Sequence, residues 1–327
     1  SNEEPIPKPL SLYFHIPFCS SICHYCGGNK LVAANSERVE YYLRDLQREI
    51  EIQSSLFDLD REVRQLHWGG GTPGFLSHRQ SQQLMEKIAR HFKLKDDGAS
   101  DYSIQIIPRL MAKDGIAHLR KLGFARISMG AQDIDEEARR ETNPAQSLET
   151  TSAVIHDARR FGFRSINLDL VYGLPRQTAE SFARTLATVI DLAPDRITLY
   201  NYAHLPHRLP AQRRSKADNL PDANPAAAVL QAAIDKLLDA GYEYIGMNQF
   251  VRPEDELAVA RREGSLQRNF HGHSARGHCD SVGFGISAIS NVGDNFSQNT
   301  TDLDTYHEIL QNQQLPVARG FHSNPDD

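Results

Sequence analysis

The segment that decides the fold is Ser11-Leu-Tyr-Phe-His-Ile-Pro-Phe-Cys-Ser-Ser-Ile-Cys-His-Tyr-Cys26. Its first six residues form an apolar, strand-like run, and Cys19, Cys23 and Cys26 follow with the spacing C-x3-C-x2-C. The chain has only four cysteines in 327 residues, so three of them are crowded into one short loop. Because three neighbouring thiols cannot form a disulfide framework, the segment predicts a metal site directly after a β-strand.

Three thiolates at this spacing can bind three irons of a cubane 4Fe–4S cluster and leave the fourth iron open for another ligand. S-adenosylmethionine (SAM) bound at that iron would make the protein a radical enzyme. A zinc site is the alternative, with His15 or His24 as fourth ligand, although structural zinc sites usually show paired spacings. Tyr25 offers an aromatic face to an adenine ring, or is simply a core side chain.

Strand-like runs alternate with helical patterns over the first two thirds of the chain. The strands are predicted at 11–16, 63–68, 102–107, 126–130, 165–170 and 195–200. The helices are predicted at 36–54, 78–92, 111–122, 147–161 and 178–191. Such βα repeats with short turns predict an α/β fold with a parallel sheet. A loop at 206–224, a helix at 225–240, a strand at 242–247 and a region of loops and short strands at 264–300 follow.

The composition is that of an ordinary globular protein. Hydrophobic residues make up 40% of the chain and charged residues 24%, and the net charge of −6 gives no sign of a nucleic-acid binder. No apolar run approaches the ~18 residues of a membrane span. The acidic, proline-rich start is unlike a signal or transit peptide, so we predict a cytoplasmic protein.

A glycine-rich loop, Trp68-Gly-Gly-Gly-Thr-Pro73, follows the second predicted strand. Consecutive glycines let the backbone approach a ligand closely, and parallel sheets bind ligands at the carboxyl ends of their strands. Since the cysteine loop lies one βα unit earlier, both loops should meet at one rim, with the glycine loop facing the methionine end of a bound cofactor. A plain turn is the alternative.

Polar residues recur near the ends of the later strands, at Gln105, Gln132, Asp133, Asp169, Asn201 and His204. Asp169 lies in an apolar run, and a buried carboxylate needs partners, so we expect bonds from ribose hydroxyls or a backbone amide. Each of these residues taken alone is equally well a satisfied loop group.

Two further clusters are weaker signals. Arg208, Arg213, Arg214 and Lys216 form a basic loop that is either solvated or recognises substrate carboxylates. A His/Cys-rich tract, with His271, His273, His278 and Cys279, is a possible metal site whose spacing matches no known pattern.

Several motifs together resemble the radical SAM superfamily, and within it the oxygen-independent coproporphyrinogen III oxidases. They are His15-Ile-Pro-Phe-Cys19, Cys26-Gly-Gly-Asn-Lys30, Leu66-His-Trp-Gly-Gly-Gly-Thr-Pro73, Ile127-Ser-Met-Gly130, Asp169-Leu-Val-Tyr-Gly-Leu-Pro175, Asn201-Tyr-Ala-His-Leu-Pro206 and Arg268-Asn-Phe270. The resemblance implies a partial (βα)6 TIM-like barrel, a 4Fe–4S cluster and two SAM molecules. It also implies that a 5′-deoxyadenosyl radical takes a hydrogen from a propionate of coproporphyrinogen III, after which loss of CO2 and one electron leaves a vinyl group.

The resemblance also assigns residues. Cys19, Cys23 and Cys26 would bind the cluster. Contacts to SAM would come from Tyr13, Tyr25, Gly70, Gly71, Thr72, Gln105, Gln132, Asp169, Ala203 and Ile289. Arg213 and Arg214 are candidates for substrate carboxylates, and a flavodoxin or ferredoxin is the expected electron donor. No nucleic-acid partner is expected.

The chain departs from the family pattern at several positions, among them Asn248-Gln249, which stands where Asp-His is common. Gly28 replaces a cysteine, Gln105 replaces a glutamate, Ile107 an aspartate and Pro144 an arginine. Gly28 and Pro144 keep open a related radical SAM enzyme such as a methyltransferase or tetrapyrrole-degrading enzyme. The basic loop and the His271–His278 tract keep open a haem-binding chaperone without decarboxylase activity. We predict a flexible tail at 1–10, the partial barrel at 11–205 and a smaller α+β extension at 206–327, without the family's helical lid domain.

Overall fold

Strands alternate with helices in the described residues of the first part of the chain. The computed structural model describes residues 7–19, 28–32, 36–95, 100–135, 147–207, 212–213, 223–270 and 272–324. The strands are β1 (Leu10–Ile16), β2 (Glu62–Gly70), β3 (Asp101–Ile106), β4 (Arg126–Gln132), β5 (Ser165–Tyr172) and β6 (Arg196–Asn201). The helices are α1 (Ser36–Ser54), α2 (His78–His91), α3 (Gly115–Lys121), α4 (Leu148–Arg160), α5 (Ala179–Leu192) and α6 (Ala223–Asp239).

Shorter elements follow in the last third. They are β7 (Glu243–Gly246), β8 (Gln249–Val251), α7 (Glu256–Arg262), β9 (Asp280–Phe284), β10 (Ile289–Val292), β11 (Asn295–Asn299), α8 (Leu303–Gln311) and β12 (Val317–His322). Lys93–Leu94 pairs with β2, and two small ribbons join Phe18–Cys19 to Leu31–Val32 and Gln267–Asn269 to Gly272–Ser274. Turns of 3-10 helix follow β2 at Pro73–Phe75 and β3 at Pro108–Leu110.

One sheet contains all twelve numbered strands, in the order β7-β8-β6-β5-β4-β3-β2-β1-β9-β10-β11-β12. The seven strands from β6 to β9 are parallel, and antiparallel strands extend both edges. Across the described residues the sheet stays open, with β7 and β12 at its two ends. The predicted α/β fold with a partial barrel is therefore confirmed.

Strand β9 is a central strand that the sequence pattern did not reveal. All five of its residues are buried, and it pairs with β1 in parallel, Leu10 opposite Asp280. The predicted region of loops and short strands at 264–300 therefore contributes a strand to the middle of the main sheet. The division of the chain at residue 206 stays a prediction, and the sheet itself continues across that position.

Alternation along β1 separates two faces of the sheet. Successive side chains of a strand point to opposite faces. One face of β1 belongs to the main hydrophobic core: Leu10, Leu12, Phe14 and Ile16. The other carries Ser11, Tyr13 and His15, and Ser11 Oγ donates to Gln65 Oε1 of β2 at 2.9 Å. The concave face of the open barrel is therefore polar.

Local signals explain where the helices begin. Ser77 and Gln80 form a capping box at the start of α2, and Thr178 and Ser181 form one at α5. Such reciprocal bonds satisfy the free amides of the first helical turn. No helix in the described parts of the chain is long and apolar enough to cross a membrane.

Candidate active site

The cysteine loop leaves β1 through two paired segments, Pro17–Cys19 and Asn29–Val32, which we name the neck. Main-chain hydrogen bonds hold these segments together. Leu31 N donates to Pro17 O at 2.8 Å, and Phe18–Cys19 pairs in parallel with Leu31–Val32. His15 Nε2 contacts Asn29 O at 2.9 Å, which adds a side-chain link across the neck. The two ends of the loop are therefore fixed to each other by the fold.

Of the three predicted cluster ligands, Cys19 lies in the described part of the chain and is buried at the carboxyl end of β1. Cys23, Cys26 and the predicted adenine contact Tyr25 lie outside the described residues. Gly28, where the resemblance implies a cysteine, is exposed directly after the undescribed residues 20–27.

The glycine loop is bonded directly to the cysteine loop. Gly71 N donates to Ile16 O and Thr72 N donates to Phe18 O, both at 2.8 Å. The hydroxyl of Thr72 contacts Cys19 Sγ at 3.8 Å. These contacts confirm the expectation that both loops meet at one rim.

Close packing explains why glycine is needed in this loop. A Cβ atom on Gly71 would lie 2.6 Å from backbone atoms of Pro17 and Phe18. Gly70 has φ +109°, and a Cβ atom there would lie 2.8 Å from the His15 ring. Since backbone atoms cannot yield as a flexible side chain can, the contact at Gly71 is the stricter of the two.

Below this rim, aromatic and polar side chains line the concave face. The rings of Tyr13 and His67 stack with centroids 5.7 Å apart, and His67 Nδ1 contacts Ser103 Oγ at 2.8 Å. Tyr13 Oη contacts His15 Nδ1 at 3.1 Å. Burial lowers the pKa of His67 to about 4 and raises the pKa of Tyr13 to about 12. Both rings are therefore uncharged near neutral pH.

Asp169 lies on the same concave face, in β5. Asn167 Nδ2 donates to Asp169 Oδ1 at 2.8 Å, and Ser128 Oγ donates to Oδ2 at 3.3 Å. Burial raises the pKa of Asp169 to about 6 in spite of these bonds. The charge of Asp169, together with burial, raises the pKa of Tyr200 on the next strand. A carboxyl group that is partly neutral near pH 6 can both accept and donate hydrogen bonds.

The side chain of Gln132 lies over Gly130, the register partner of Asp169. Gln132 has φ 53°, and a Cβ atom on Gly130 would meet Gln132 Nε2. Gln105 of β3 lies in register with Ser128, which bonds Asp169.

The remaining predicted residues are spread along the rim. Ala203 is exposed after β6, and its carbonyl accepts from Gln212 Nε2 at 2.9 Å. Ile289 begins β10 and lies against Gly283, the register partner of Tyr13. Arg213 is exposed, and its Nε donates to Pro206 O at 3.2 Å. Arg214 and Pro144 lie outside the described residues.

Asp133 has a structural role. Its carboxylate is fully buried and accepts from Gln177 Nε2 at 2.7 Å, from Asp135 N at 3.0 Å and from Thr185. Burial raises its pKa. With these partners it ties the end of β4 to α5, so the satisfied-group interpretation holds here.

The His/Cys-rich tract gains no support as a metal site. His273 Nδ1 contacts Gln249 Oε1 at 3.1 Å, and His278 is exposed. A search of the described residues finds no group of three or more His, Cys, Asp or Glu side chains arranged to hold a metal. His271 lies outside that set.

At the opposite, amino end of the strands lies a buried charge network, which we name the floor: Asp101, Arg126, Arg196, Asp255 and Glu256. Arg126 approaches Asp101 at 2.6 Å and Glu256 at 2.7 Å, and Arg196 approaches Asp255 at 2.8 Å. Burial favours the neutral acid at Asp101, but Arg126 and Arg196 outweigh it and lower the pKa. Sequence reasoning missed the floor, although Arg126 begins a predicted strand and Asp101 directly precedes one.

Comparison with known proteins identifies the family. A family model described as the radical SAM superfamily matches residues 13–189. The chain is 50% identical over 319 residues to the oxygen-independent coproporphyrinogen III oxidase of Pseudomonas aeruginosa. The matched region covers 98% of this chain and 69% of that protein. The chain belongs to the oxygen-independent coproporphyrinogen III oxidase family of radical SAM proteins.

Other members of the family agree in sequence and structure. The Escherichia coli K12 oxygen-independent coproporphyrinogen III oxidase is 45% identical over 320 residues, covering 98% of this chain and 69% of that protein. A solved structure of coproporphyrinogen III oxidase from Escherichia coli, described as a radical SAM enzyme, matches with a TM-score of 0.94 and 44% identity. It covers 98% of this chain and 73% of that chain. The sequence-based recognition is thus confirmed.

The radical SAM superfamily uses a 4Fe–4S cluster and SAM, so the predicted cofactors are confirmed at that level. The described residues fit them. Cys19 brings a buried thiol to the end of β1, and the main chain of Gly71 and Thr72 is fixed beside it. The uncharged rings of Tyr13 and His67 lie on the concave face below.

Proposed function

We propose that this protein is an oxygen-independent coproporphyrinogen III oxidase, which converts propionate side chains of coproporphyrinogen III to vinyl groups by oxidative decarboxylation. The observation that carries the proposal is the 50% identity to an enzyme of that name along 98% of the chain. The bonded cysteine and glycine loops at the carboxyl rim support it, because parallel sheets bind ligands there.

In this proposal Cys19, Cys23 and Cys26 hold the cluster. Contacts to SAM come from Tyr13, Tyr25, Gly70, Gly71, Thr72, Gln105, Gln132, Asp169, Ala203 and Ile289. The resemblance assigns Gln132 and Asp169 to the second of two SAM molecules, and the separation of β5 from β2 in the sheet by two strands supports this assignment. The cluster and SAM together supply one-electron chemistry that starts with removal of a hydrogen atom from the substrate.

The chain's own residues hold and orient the reactants. Gly71 and Thr72 offer backbone at the rim, where no side chain at position 71 could fit. The stacked rings of Tyr13 and His67 are uncharged and offer a surface for apolar parts of a ligand. Asp169, with its raised pKa, exchanges hydrogen bonds with hydroxyl groups without requiring a full charge in a buried place.

The substrate's carboxylates need cationic partners, and Arg213 and Arg214 in the loop after β6 are our candidates. Guanidinium groups bind carboxylates with two parallel hydrogen bonds. Arg213 is exposed, and its Nε donates to a loop carbonyl. We also propose a flavodoxin or ferredoxin as electron donor and a cytoplasmic location. Both proposals rest on the sequence alone.

A second candidate is a related radical SAM enzyme with another substrate. The observation that favours it is Gly28, since the family has a cysteine at that position. Glycine at this exposed position keeps the three proposed ligands in the sequence but supplies no thiol of its own.

Anaerobic reconstitution with iron and sulfide tests these proposals. We expect the broad absorption of a 4Fe–4S cluster, 5′-deoxyadenosine on addition of SAM and dithionite, and a product of coproporphyrinogen III that is lighter by two CO2. The Cys23→Ala variant should lose all three signals. Cofactor cleavage without the decarboxylated product would support the second candidate, whereas micromolar haem binding without cofactor cleavage would indicate a haem chaperone.

A further inference from the structure

Glu49 of α1 is a fully buried carboxyl group that joins four elements. It accepts hydrogen bonds from Gly285 N at 2.7 Å, Asn299 Nδ2 at 2.7 Å and Tyr306 Oη at 2.6 Å. These three donors are neutral, and burial raises the pKa of Glu49 to about 7. Burying a carboxyl group among neutral partners is costly, so its placement calls for a reason beyond stability.

The turn that Glu49 holds lies against the end of β1. Gly285 has φ +95°, and a Cβ atom there would lie 2.8 Å from His15 O. Asn299 Nδ2 also donates to Gly285 O at 2.9 Å, so both main-chain groups of Gly285 are fixed. Holding Gly285 therefore holds the backbone of β1 at His15, four residues before Cys19.

Tyr42, on the same helix as Glu49, reaches the neck of the cysteine loop. Its hydroxyl donates to His15 O at 2.6 Å, and its ring meets the Phe18 ring edge-on with centroids 5.4 Å apart. The Tyr306 ring stacks on the other side of Tyr42 at 5.7 Å, while its hydroxyl binds Glu49. A continuous set of contacts thus runs from Glu49 to the residue before Cys19.

We propose that Glu49 is a positioning residue for the cysteine loop, acting through Gly285 and Tyr306 on Tyr42, His15 and Phe18. Its importance for the cluster rests on the proposed role of Cys19 as an iron ligand. The carboxyl group suits this task because its two oxygens accept from three elements at once, which no apolar side chain can do.

The test compares Glu49→Gln and Tyr306→Phe with the control Glu51→Gln. Glu51 lies on the same helix but is largely exposed and pairs with Lys87 at the surface. In the full-length apoprotein, alkylation rates of Cys19 and Cys279 are measured by mass spectrometry of their peptides. We expect Cys19 to react about tenfold faster in both test variants, with Cys279 and the control unchanged.

A second measurement uses the reconstituted protein. Release of iron to a chelator should be about tenfold faster in Glu49→Gln than in Glu51→Gln, and the electron paramagnetic resonance signal with SAM should become heterogeneous. Equal acceleration at Cys19 and Cys279 would show general destabilisation and overturn the proposal, as would an unchanged Cys19 rate. If the wild-type chain takes up no iron, the proposed function fails, whereas the Cys19 to Cys279 ratio still decides the positioning role.

Discussion

The two ends of the parallel strands solve the problem of buried polar groups in opposite ways. At the amino end, the floor pairs each carboxylate with a guanidinium, and the pKa of Asp101 is lowered because Arg126 and Arg196 outweigh burial. Nearer the carboxyl end, in the second half of β5, Asp169 is surrounded by neutral donors, and burial raises its pKa to about 6. The charges of the floor are neutralised by ion pairs, whereas the protonation state of Asp169 can change.

This contrast separates structure from chemistry. A compensated network has no capacity left for a ligand, whereas a carboxyl group held only by amide and hydroxyl groups can change its bonding when a ligand arrives. The glycines are also found at the carboxyl end, where Gly70 and Gly71 pack against the neck. We therefore expect mutations at the floor to act on stability and those at the rim to act on cofactor loading.

Removing Arg126 should give the largest effect. Arg126→Ala leaves Asp101 and Glu256 with one guanidinium fewer in a buried place, and the free energy of unfolding should fall by about 3–5 kcal/mol. Urea denaturation measures this loss. Arg79→Ala is the control, because the exposed pair with Glu40 is worth at most about 1 kcal/mol. Equal losses in the two variants would mean that the floor is not held by its charges.

The pH dependence of stability should reveal Asp169. Its pKa is raised from 3.8 to about 6 in the folded state, so its contribution is present below pH 4 and is lost as the pH rises through 6. The loss is on the order of 3 kcal/mol. Urea denaturation from pH 4 to 7.5 should show a smaller decline for Asp169→Asn than for wild type. Asp235→Asn, on the exposed face of α6, should follow the wild-type curve; a similar curve for Asp169→Asn would contradict this picture.

Gly71→Ala tests the close contact between the two loops. Its Cβ atom would lie 2.6 Å from the backbone of Pro17 and Phe18, and overpacking of this kind costs about 1–3 kcal/mol. We expect a matching loss of stability and reduced iron uptake on reconstitution. In Gly320→Ala the Cβ atom would lie 3.4 Å from Phe296 O at an exposed strand, so neither property should change. Normal iron uptake by Gly71→Ala would show that the neck tolerates movement.

Ser103→Ala should have the smallest effect. It removes the hydrogen bond to His67 Nδ1, and a lost neutral hydrogen bond costs about 1 kcal/mol. The His67 ring should stay stacked on Tyr13. Thermal unfolding against the exposed control Ser55→Ala measures the difference, and a loss as large as that of Arg126→Ala would show that the charges of the floor are no more important for stability than one neutral hydrogen bond of the concave face.

Local periodicity was enough to predict most of the barrel. Helix α1 was predicted at 36–54 and lies at Ser36–Ser54, and each of the six strands of the barrel lies within two or three residues of its predicted bounds. The start of α3 was wrong: it was predicted at 111 and lies at Gly115, because a 3-10 turn over Pro108–Leu110 occupies the chain first. A turn of that kind leaves no mark on a 3.6-residue pattern.

Features that depend on distant contacts could not be predicted. Strand β9 has five residues, and its central position follows only from pairing with β1. Glu49 reads as a surface residue of an acidic helix, yet Asn299, 250 positions away, helps to bury it. The glycine loop is predictable because its motif is local. The alternation along β2 and β3 places His67 and Ser103 on one face, but that pattern alone does not identify a site.

The parallel pairing of Leu10 with Asp280 also sets the order of events during synthesis. At 5–20 residues per second, roughly 15 to 50 seconds pass between the emergence of β1 and that of β9 from the ribosome. During that interval β1 is an apolar strand with an unpaired edge, the kind of segment that chaperones cover. The turn at Gly285 that supports the neck emerges equally late, so iron should be loaded only after this turn has formed.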